Sequence, residues 1–233
     1  MSRKRVAILV SGRGSNMAAL IDAARGEDFP AEIVKVISNR TDAKGLAVAA
    51  AKGISTAVLP SRGVSREDQD AALDKALRET GADIVCLAGY MRLLTEGFVR
   101  AWEGRLINIH PALLPLFPGL DTHRKALDAG LRIHGCTVHF VTPEMDSGPI
   151  IAQAAVPVLV GDDEDSLSAR VLAAEHRLYP AALALVAQGK ARMLEGRIAF
   201  EGLTDSSGAD RRIVSPTPMP DAADLESLAR FTP

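Results

Sequence analysis

The residues best suited to chemistry lie in the segment Asn108-Ile109-His110-Pro111. The apolar run before this segment is typical of a strand, and residues two apart on a strand project to the same side. Asn108 and His110 would therefore enter one cleft. There the amide could donate a hydrogen bond to a developing oxyanion, and the imidazole could donate a hydrogen bond or carry a proton. The pair favours acyl-group chemistry, although a histidine beside a proline is also compatible with a core or capping role.

A carboxylate lies in the turn-like segment Glu144-Met145-Asp146-Ser147-Gly148. If the fold brings Asp146 to His110, its charge favours the protonated imidazole and holds the orientation of the ring. An Asp before Ser-Gly also shapes turns by itself, so both interpretations stay open. Metal binding is not favoured, because no HExxH or Cys/His zinc pattern fits the spacing of His110, His123, His134 and His139.

A glycine loop near the start of the chain, Ser11-Gly12-Arg13-Gly14-Ser15-Asn16, lies between a strand pattern and a helix pattern. Glycines let the backbone approach an anion, and free N–H groups at a helix N-terminus bind it. The dinucleotide fingerprint GxGxxG fails because Met17 stands at its third glycine, and the Walker A sequence is absent. The loop favours a phosphate monoester. The alternative is a plain turn in which Ser15 or Asn16 caps the helix.

Alternating strand and helix patterns must position these residues. Apolar runs predict strands at Val6–Val10, Ile33–Ile37, Ala57–Leu59, Asp83–Ala88, Leu106–Ile109, Cys136–Val141 and Ile150–Val158, with a further strand pair around Met193 and Ile198–Phe200. Periodic apolar residues predict helices at Ser15–Arg25, Leu46–Ala51, Arg66–Arg78, Arg124–Ala129 and Asp163–Val186. The alternation implies an α/β fold with a mostly parallel twisted sheet, helices on both faces and antiparallel strands in the C-terminal part.

Length and composition limit the remaining classes of protein. The chain has 233 residues and a formal net charge of −2, which argues against a broad nucleic-acid surface. No apolar run approaches the roughly 20 residues of a membrane helix, and Val6–Val10 is too short for a signal peptide. The two cysteines, Cys86 and Cys136, are expected to be buried, reduced thiols. A cytoplasmic protein is expected, with residues 204–233 as a flexible C-terminal tail.

Asn108–Pro115 resembles the signature of the folate-dependent formyltransferases, and Asp146–Ile150 resembles the companion loop of that signature. Together with the glycine loop, these segments make three motifs. Their order and separation resemble those of the family members that formylate glycinamide ribonucleotide in purine synthesis. The resemblance runs from about Val6 to about Phe200. It implies a single Rossmann-like formyltransferase domain over residues 1–203. The N-terminal half would bind the ribonucleotide phosphate, and the C-terminal half would build the folate pocket.

The resemblance also implies roles for individual residues. The catalytic trio would be Asn108, His110 and Asp146. The ribonucleotide would contact Gly14, Ser15, Asn16, Leu172, Ala173, Ala174 and Glu175. The co-substrate 10-formyltetrahydrofolate would contact Arg66, Met91, Arg92, Leu93, Leu94, Asn108, Thr142, Pro143, Glu144, Met145 and Asp146. Two positions depart from the family pattern, since some members carry histidine at Asp121 and a polar residue at Leu172.

The reaction implied by the resemblance is formyl transfer from 10-formyltetrahydrofolate to the amino group of the ribonucleotide, without a metal. The expected partners are small molecules rather than nucleic acid or membrane, and a homodimer is compatible with the sequence. The alternative is a formyltetrahydrofolate hydrolase, but Arg5 leads straight into the first strand and leaves no room for the N-terminal regulatory domain of that family. A methionyl-tRNA formyltransferase would need a further C-terminal domain and a basic surface. A non-catalytic phosphate-binding module does not explain three motifs together.

Overall fold

The computed structural model describes residues 2–202, so the predicted tail at residues 204–233 lies outside the described part of the chain. The main sheet contains β1 (Lys4–Val10), β2 (Ala31–Ser38), β3 (Thr56–Val58), β4 (Ile84–Leu87), β5 (Leu106–His110), β6 (Ile133–Phe140) and β7 (Ile150–Pro157). The helices are α1 (Ser15–Ala23), α2 (Lys44–Ala51), α3 (Arg66–Glu79), α4 (Glu96–Ala101), α5 (Thr122–Asp128) and α6 (Glu164–Ala187). A separate antiparallel pair consists of β8 (Ala191–Leu194) and β9 (Arg197–Phe200).

The strand order in the main sheet is β3-β2-β1-β4-β5-β6-β7. The first five of these strands run parallel, whereas β6 is antiparallel to β5 and β7 is antiparallel to β6. This arrangement confirms the predicted mostly parallel sheet with antiparallel strands in the C-terminal part. Because the chain order reverses between β1 and β4, their carboxyl ends border a crevice, which is where open α/β sheets bind ligands.

The strand β1 explains why the sheet has helices on both faces. Its residues from Val6 to Val10 are fully buried, and successive side chains point to opposite faces. Val6, Ile8 and Val10 pack in one apolar cluster with α1 and α6. Ala7 and Leu9 pack in a second cluster with α3 and α4. An uninterrupted apolar run is thus what a strand covered on both sides requires.

The helix α6 holds the strand ends that border the crevice. The hydroxyl of Tyr179, a fully buried residue, lies 3.0 Å from the Leu87 carbonyl oxygen and 3.1 Å from that of Ile107. Leu87 ends β4, and Ile107 lies in β5 immediately before the predicted catalytic segment. The helix is therefore anchored to both strands at the place where the site begins.

The helix α4 is absent from the elements that the sequence predicts. It has six residues, which is too short to show the apolar periodicity that marks a helix. Its start is instead defined by Thr95, whose side chain accepts a hydrogen bond from the Phe98 N–H at 3.2 Å. Phe98 and Trp102 then pack under the sheet, with their ring centroids 6.4 Å apart.

The strand β6 begins at Ile133, three residues before the predicted start at Cys136. The sequence pattern does not show this part of the strand, because Gly135 has no side chain to give an apolar signal. In the structure Gly135 pairs with Ala155, and a Cβ at this position would lie 2.0 Å from the Ala154 carbonyl oxygen. The glycine is therefore required by the close approach of β7.

Cys86 and Cys136 are free and buried, as the sequence predicts. Burial raises the pKa of both thiols to about 12, so they stay protonated at neutral pH. Across residues 2–202, no helix has both the length and the apolar character needed to cross a bilayer.

Candidate active site

A cavity of about 740 Å³ lies at the carboxyl ends of β1, β4 and β5. Its walls come from the loops that follow these strands, together with the loop between β6 and β7 and one face of α6. The cavity thus occupies the crevice that the strand order creates. Its volume lies within the range of small-molecule binding sites, roughly 300–1,000 Å³.

The three residues of the predicted catalytic trio all line this cavity. Asn108 and His110 stand two apart at the end of β5, so their side chains share one face of the strand. Asp146 comes from the loop between β6 and β7, and its Oδ2 lies 3.5 Å from His110 Nδ1. The same Oδ2 accepts a hydrogen bond from the Gly119 N–H at 2.8 Å, which holds the carboxylate in place.

Both ring nitrogens of His110 face protein acceptors. Its Nε2 donates to the Phe117 carbonyl oxygen at 2.9 Å, and its Nδ1 faces Asp146. A neutral imidazole carries only one N–H, so only the doubly protonated ring can donate to both groups. The surroundings of His110 are therefore arranged to accommodate an imidazolium.

The loop that follows His110 is anchored by a buried threonine on β6. Thr137 Oγ1 donates to the Ala112 carbonyl oxygen at 2.7 Å and accepts from the Leu114 N–H at 3.0 Å. On β7, Gln153 Nε2 donates to Thr137 Oγ1 at 3.0 Å and to the Leu114 carbonyl oxygen at 2.9 Å. These bonds fix the path of the loop whose far end meets the His110 ring.

Sequence reasoning missed His139, which it considered only as a metal ligand. His139 lies on β6 directly opposite Asn108 and lines the cavity. Its Nε2 is 3.3 Å from Asn108 Nδ2 and 3.8 Å from Asp146 Oδ1, and its Nδ1 donates to the Phe140 carbonyl oxygen at 2.8 Å. Burial lowers the pKa of His139, which favours the neutral ring. The signal that could have revealed it is the spacing Thr137-x-His139, which matches the spacing of the polar pair on β5.

The glycine loop between β1 and α1 depends on a left-handed backbone. Gly14 is the N-cap of α1 with φ 75°, so neither Ser15 nor Asn16 caps the helix, contrary to the plain-turn alternative. No side chain takes up the first N–H groups of the helix, which are left without helical partners and suit an anion. A Cβ on Gly14 would lie 2.9 Å from Gly45 Cα and 3.0 Å from Met17 Cε.

Gly14→Ala is therefore expected to destabilise the protein by about 2 kcal/mol, because alanine resists the left-handed conformation and its Cβ meets the Gly45 backbone. For a domain of this size the change corresponds to roughly 4–8 °C in Tm. Thermal unfolding of the variant and the wild type measures this difference in Tm. Gly12→Ala is the matched control, since Gly12 has no positive φ and open space at its Cβ position. Equal Tm losses in the two variants would contradict the prediction.

Asn16 and Glu175, which both line the cavity, join α1 to α6. Asn16 Nδ2 donates to Glu175 Oε2 at 2.7 Å. Glu175 is only 6% exposed, and this burial raises the pKa of its carboxyl, while the hydrogen bond from Asn16 opposes the shift. A buried carboxylate with so little hydration gains from a ligand that brings hydroxyl or N–H donors to it.

The raised pKa of Glu175 makes stability depend on pH. Since the ionised form is less favoured in the folded protein, Glu175 destabilises the fold increasingly as pH rises above its ordinary value of 4.5. Glu175→Gln removes this cost and keeps an oxygen acceptor for Asn16. At pH 8 and in the absence of ligand, we expect the variant to have a higher Tm than the wild type. Each 1 kcal/mol added to the free energy of unfolding corresponds to about 2–4 °C in Tm. The difference should shrink toward zero at pH 4.

Thermal unfolding at pH 4 and pH 8 tests this expectation. Glu27→Gln, which changes an exposed carboxylate to an amide, serves as the control and should leave Tm unchanged at both values. A Tm difference for Glu175→Gln that is the same at both pH values would show that the ionised carboxylate is not the cause.

Most positions assigned to the folate by resemblance line the cavity, and they are Met91, Arg92, Leu93, Leu94, Asn108, Thr142, Pro143, Glu144, Met145 and Asp146. Several of these side chains are apolar and exposed, and they give the cavity an apolar surface. Arg66 is the exception, because it begins α3 and does not line the cavity.

The side chain of Arg92 secures the loop that leads to Arg66. Its guanidinium donates to the carbonyl oxygens of Ser61, Val64 and Ser65 at 3.0, 3.2 and 2.9 Å. Arg92 therefore lines the cavity while its charged group is used to hold the start of α3.

The positions assigned to the ribonucleotide divide into two groups. Those lining the cavity are Asn16, Leu172 and Glu175. Those that do not line it are Gly14, Ser15, Ala173 and Ala174. On α6, residues 172 and 175 are three apart and share a face, which explains why the two alanines between them do not line the cavity. The apolar side chain of Leu172 can provide contact but no hydrogen bond.

A second imidazole stands near His110 despite the departure at Asp121. His123 lines the same cavity two residues later, with its ring edge-on to that of His134 at 5.5 Å. Burial lowers the pKa of both histidines, that of His134 to about 4, so neither adds charge beside His110 at neutral pH. Among the residues that the structure describes, no three His, Cys, Asp or Glu side chains are grouped so as to hold a metal ion.

Comparison with known proteins agrees with the geometry. Residues 4–183 match the family described as formyl transferase. The chain is 45% identical over 198 residues to the phosphoribosylglycinamide formyltransferase of Escherichia coli (strain K12), covering 84% of this chain and 93% of that protein. It is 47% identical over 202 residues to the trifunctional purine biosynthetic protein adenosine-3 of Gallus gallus. The match covers 86% of this chain but only 20% of that much longer relative.

Solved structures give the same result. Phosphoribosylglycinamide formyltransferase from Brucella melitensis is 58% identical with a TM-score of 0.77, covering 80% of this chain and 96% of that one. Glycinamide ribonucleotide transformylase 1 from Symbiobacterium toebii is 46% identical with a TM-score of 0.82, covering 85% of this chain and 94% of that one. These matches confirm the fold and the resemblance that the three motifs indicate. The chain belongs to the formyl transferase family.

Proposed function

We propose that this protein transfers the formyl group of 10-formyltetrahydrofolate to the amino group of glycinamide ribonucleotide, a step of purine synthesis. The observation that carries the proposal is the meeting of Asn108, His110 and Asp146 at one cavity, in a chain that matches relatives of this activity over most of its length. The fold and the names of the relatives support the same substrates. The formyl-folate is a co-substrate, and the reaction needs no metal.

The proposed chemistry is direct transfer. The amine nitrogen of the ribonucleotide attacks the formyl carbon, a C–N bond forms, and the carbonyl electron pair moves to oxygen. The resulting tetrahedral intermediate carries an oxyanion. When the carbonyl re-forms, the bond between the formyl carbon and the folate nitrogen breaks. The amine loses one proton and the folate nitrogen gains one, so the products are the N-formyl ribonucleotide and tetrahydrofolate.

We assign the stabilisation of the oxyanion to Asn108 and protonated His110. Asn108 Nδ2 has two hydrogens, and with one directed to His139 the other is available to the intermediate. The positive His110 ring, with Asp146 beside it, lowers the energy of the developing negative charge electrostatically. Such preorganised donors and charges are each worth about 10²–10³ in rate.

Binding of the two substrates is assigned to two different groups of residues. The phosphate of the ribonucleotide is proposed to bind at the free N–H groups of the Gly14–Asn16 loop, with its polar groups near Glu175. The folate is proposed to bind against the segments Met91–Leu94 and Thr142–Asp146, which line the cavity. This division of the domain stays a prediction, as do the cytoplasmic location and the homodimer.

An assay of formyl-folate turnover with and without glycinamide ribonucleotide tests the proposal. We expect turnover to require the ribonucleotide and to yield its N-formyl product. Equally fast release of formate without the ribonucleotide would overturn the proposal, because water would then be the acceptor and the protein would act as the alternative hydrolase.

A further inference from the structure

The strand β6 carries a polar pair that faces the catalytic pair of β5. In the antiparallel register, Asn108 is opposite His139 and His110 is opposite Thr137. Residues directly opposite in such a pair are close enough for their side chains to interact. Thr137 already has a clear role, since it holds the loop after His110 through the Ala112 and Leu114 backbone. The role of His139 remains to be assigned.

The hydrogen bonds of His139 determine which of its nitrogens carries the proton. Nδ1 faces the Phe140 carbonyl oxygen at 2.8 Å, and a carbonyl only accepts, so Nδ1 must be the N–H. In a neutral ring Nε2 then has a free lone pair. This lone pair is directed to Asn108 Nδ2 at 3.3 Å and accepts one of its hydrogens.

We infer that His139 is a positioning residue that fixes the rotation of the Asn108 carboxamide, so that the amide presents an N–H rather than its carbonyl oxygen to the reacting centre. The inference rests on the proposed function, because it assumes that an oxyanion forms beside Asn108. A carboxamide is nearly symmetric in shape, so packing alone does not choose between its two orientations. The lone pair on His139 Nε2 favours the orientation in which Asn108 Nδ2, rather than Oδ1, points toward His139.

The charged groups around His139 also favour this orientation of the Asn108 carboxamide. Asp146 Oδ1 lies 3.8 Å from His139 Nε2, while Asp146 Oδ2 faces His110 Nδ1 at 3.5 Å. Two imidazoles therefore face one carboxylate. A proton on His139 Nε2 would point an N–H at the amide nitrogen of Asn108, which cannot accept it. The same proton would also make His139 compete with His110 for the Asp146 carboxylate. With His139 neutral, the carboxylate is left to His110.

Two substitutions at residue 139 separate the inferred role from simple packing. His139→Gln places a carbonyl oxygen near the position of Nε2 and keeps an acceptor for Asn108. His139→Asn is shorter, retains a polar group near the position of Nδ1, and leaves nothing to accept from Asn108. We expect the Asn variant to lose about 10–100-fold in kcat with both KM values within about threefold of wild type. The Gln variant should lose no more than about fivefold.

A double-mutant cycle with Asn108→Ala provides the decisive readout. If His139 acts through Asn108, adding His139→Asn to Asn108→Ala should lower kcat by less than about threefold further. Thermal unfolding establishes that each variant is folded, and His139→Leu replaces the Asn variant if that one does not fold. Multiplicative losses in the double variant, or equal losses in the Gln and Asn variants, would overturn the inference.

The wild-type protein distinguishes this inference from the proposed function. A wild type that does not formylate the ribonucleotide overturns the proposed function. The same variants are then compared on formate release from the formyl-folate, because attack by water forms the same kind of oxyanion. The cycle therefore supports or overturns the role of His139 in either case.

Discussion

His110→Ala is expected to lower kcat by about 10²–10³ while leaving the affinity for glycinamide ribonucleotide within about threefold of wild type. The substitution removes the ring to which we assign stabilisation of the oxyanion, together with its hydrogen bond to the Phe117 carbonyl oxygen. It leaves the Gly14–Asn16 loop and Glu175 untouched, and these are the groups to which we assign ribonucleotide binding. The loss should therefore fall on the chemical step.

Steady-state kinetics and calorimetric titration with the ribonucleotide measure the two effects separately. His176→Gln is a matched control, because it also removes an imidazole but from a position on α6 that does not line the cavity. It should keep kcat close to that of the wild type. A parallel loss of ribonucleotide affinity and turnover in His110→Ala would show that His110 binds substrate rather than stabilising the intermediate.

Asp146→Asn is expected to lower kcat by about 10²-fold, although it preserves the shape of the side chain. The carboxylate is the negative group that faces His110 Nδ1, at 3.5 Å, and its loss removes the counter-charge of the imidazolium. Because the His110 ring would then lack the negative group that we assign as its counter-charge, we expect the dependence of kcat on pH to differ in shape from that of the wild type.

A pH–rate profile between pH 6 and pH 9 tests the role of Asp146. Asp128→Asn, an exposed carboxylate at the end of α5, is the control and should leave the profile unchanged. The double variant His110→Ala/Asp146→Asn should have a kcat only slightly below that of the less active single variant, since the two residues act together. An Asp146→Asn profile that coincides in shape with the wild type would refute this coupling.

Much of the fold could be predicted because the apolar patterns have one physical explanation. The run Val6–Val10 is apolar at every position, and a strand covered on both faces buries all five residues. The alternate spacing of Asn108 and His110 likewise predicts one shared face. The meeting of Asp146 with His110, by contrast, depends on a contact between distant segments, which the residues alone left open and the family resemblance implied.

The features that could not be predicted depend on tertiary contacts rather than on local pattern. The spacing of Thr137 and His139 marks a polar pair on a strand, but the residues that this pair faces are known only once β6 pairs with β5. The left-handed N-cap at Gly14 lies against Gly45, which is remote in sequence. The short helix α4 is defined by its Thr95 cap and its packing rather than by periodicity.

The pairing of β5 with β6 has a consequence for folding as well as for catalysis. A slip of one residue along this ladder would turn Thr137 and His139 to the other face of the sheet. There the two polar side chains would enter the apolar cluster that now holds Val138 and Phe140, at the cost of unmet hydrogen bonds. The polar pair that supports the site therefore also fixes the alignment of the two strands. A molecule that is active has, by that fact, aligned these strands correctly.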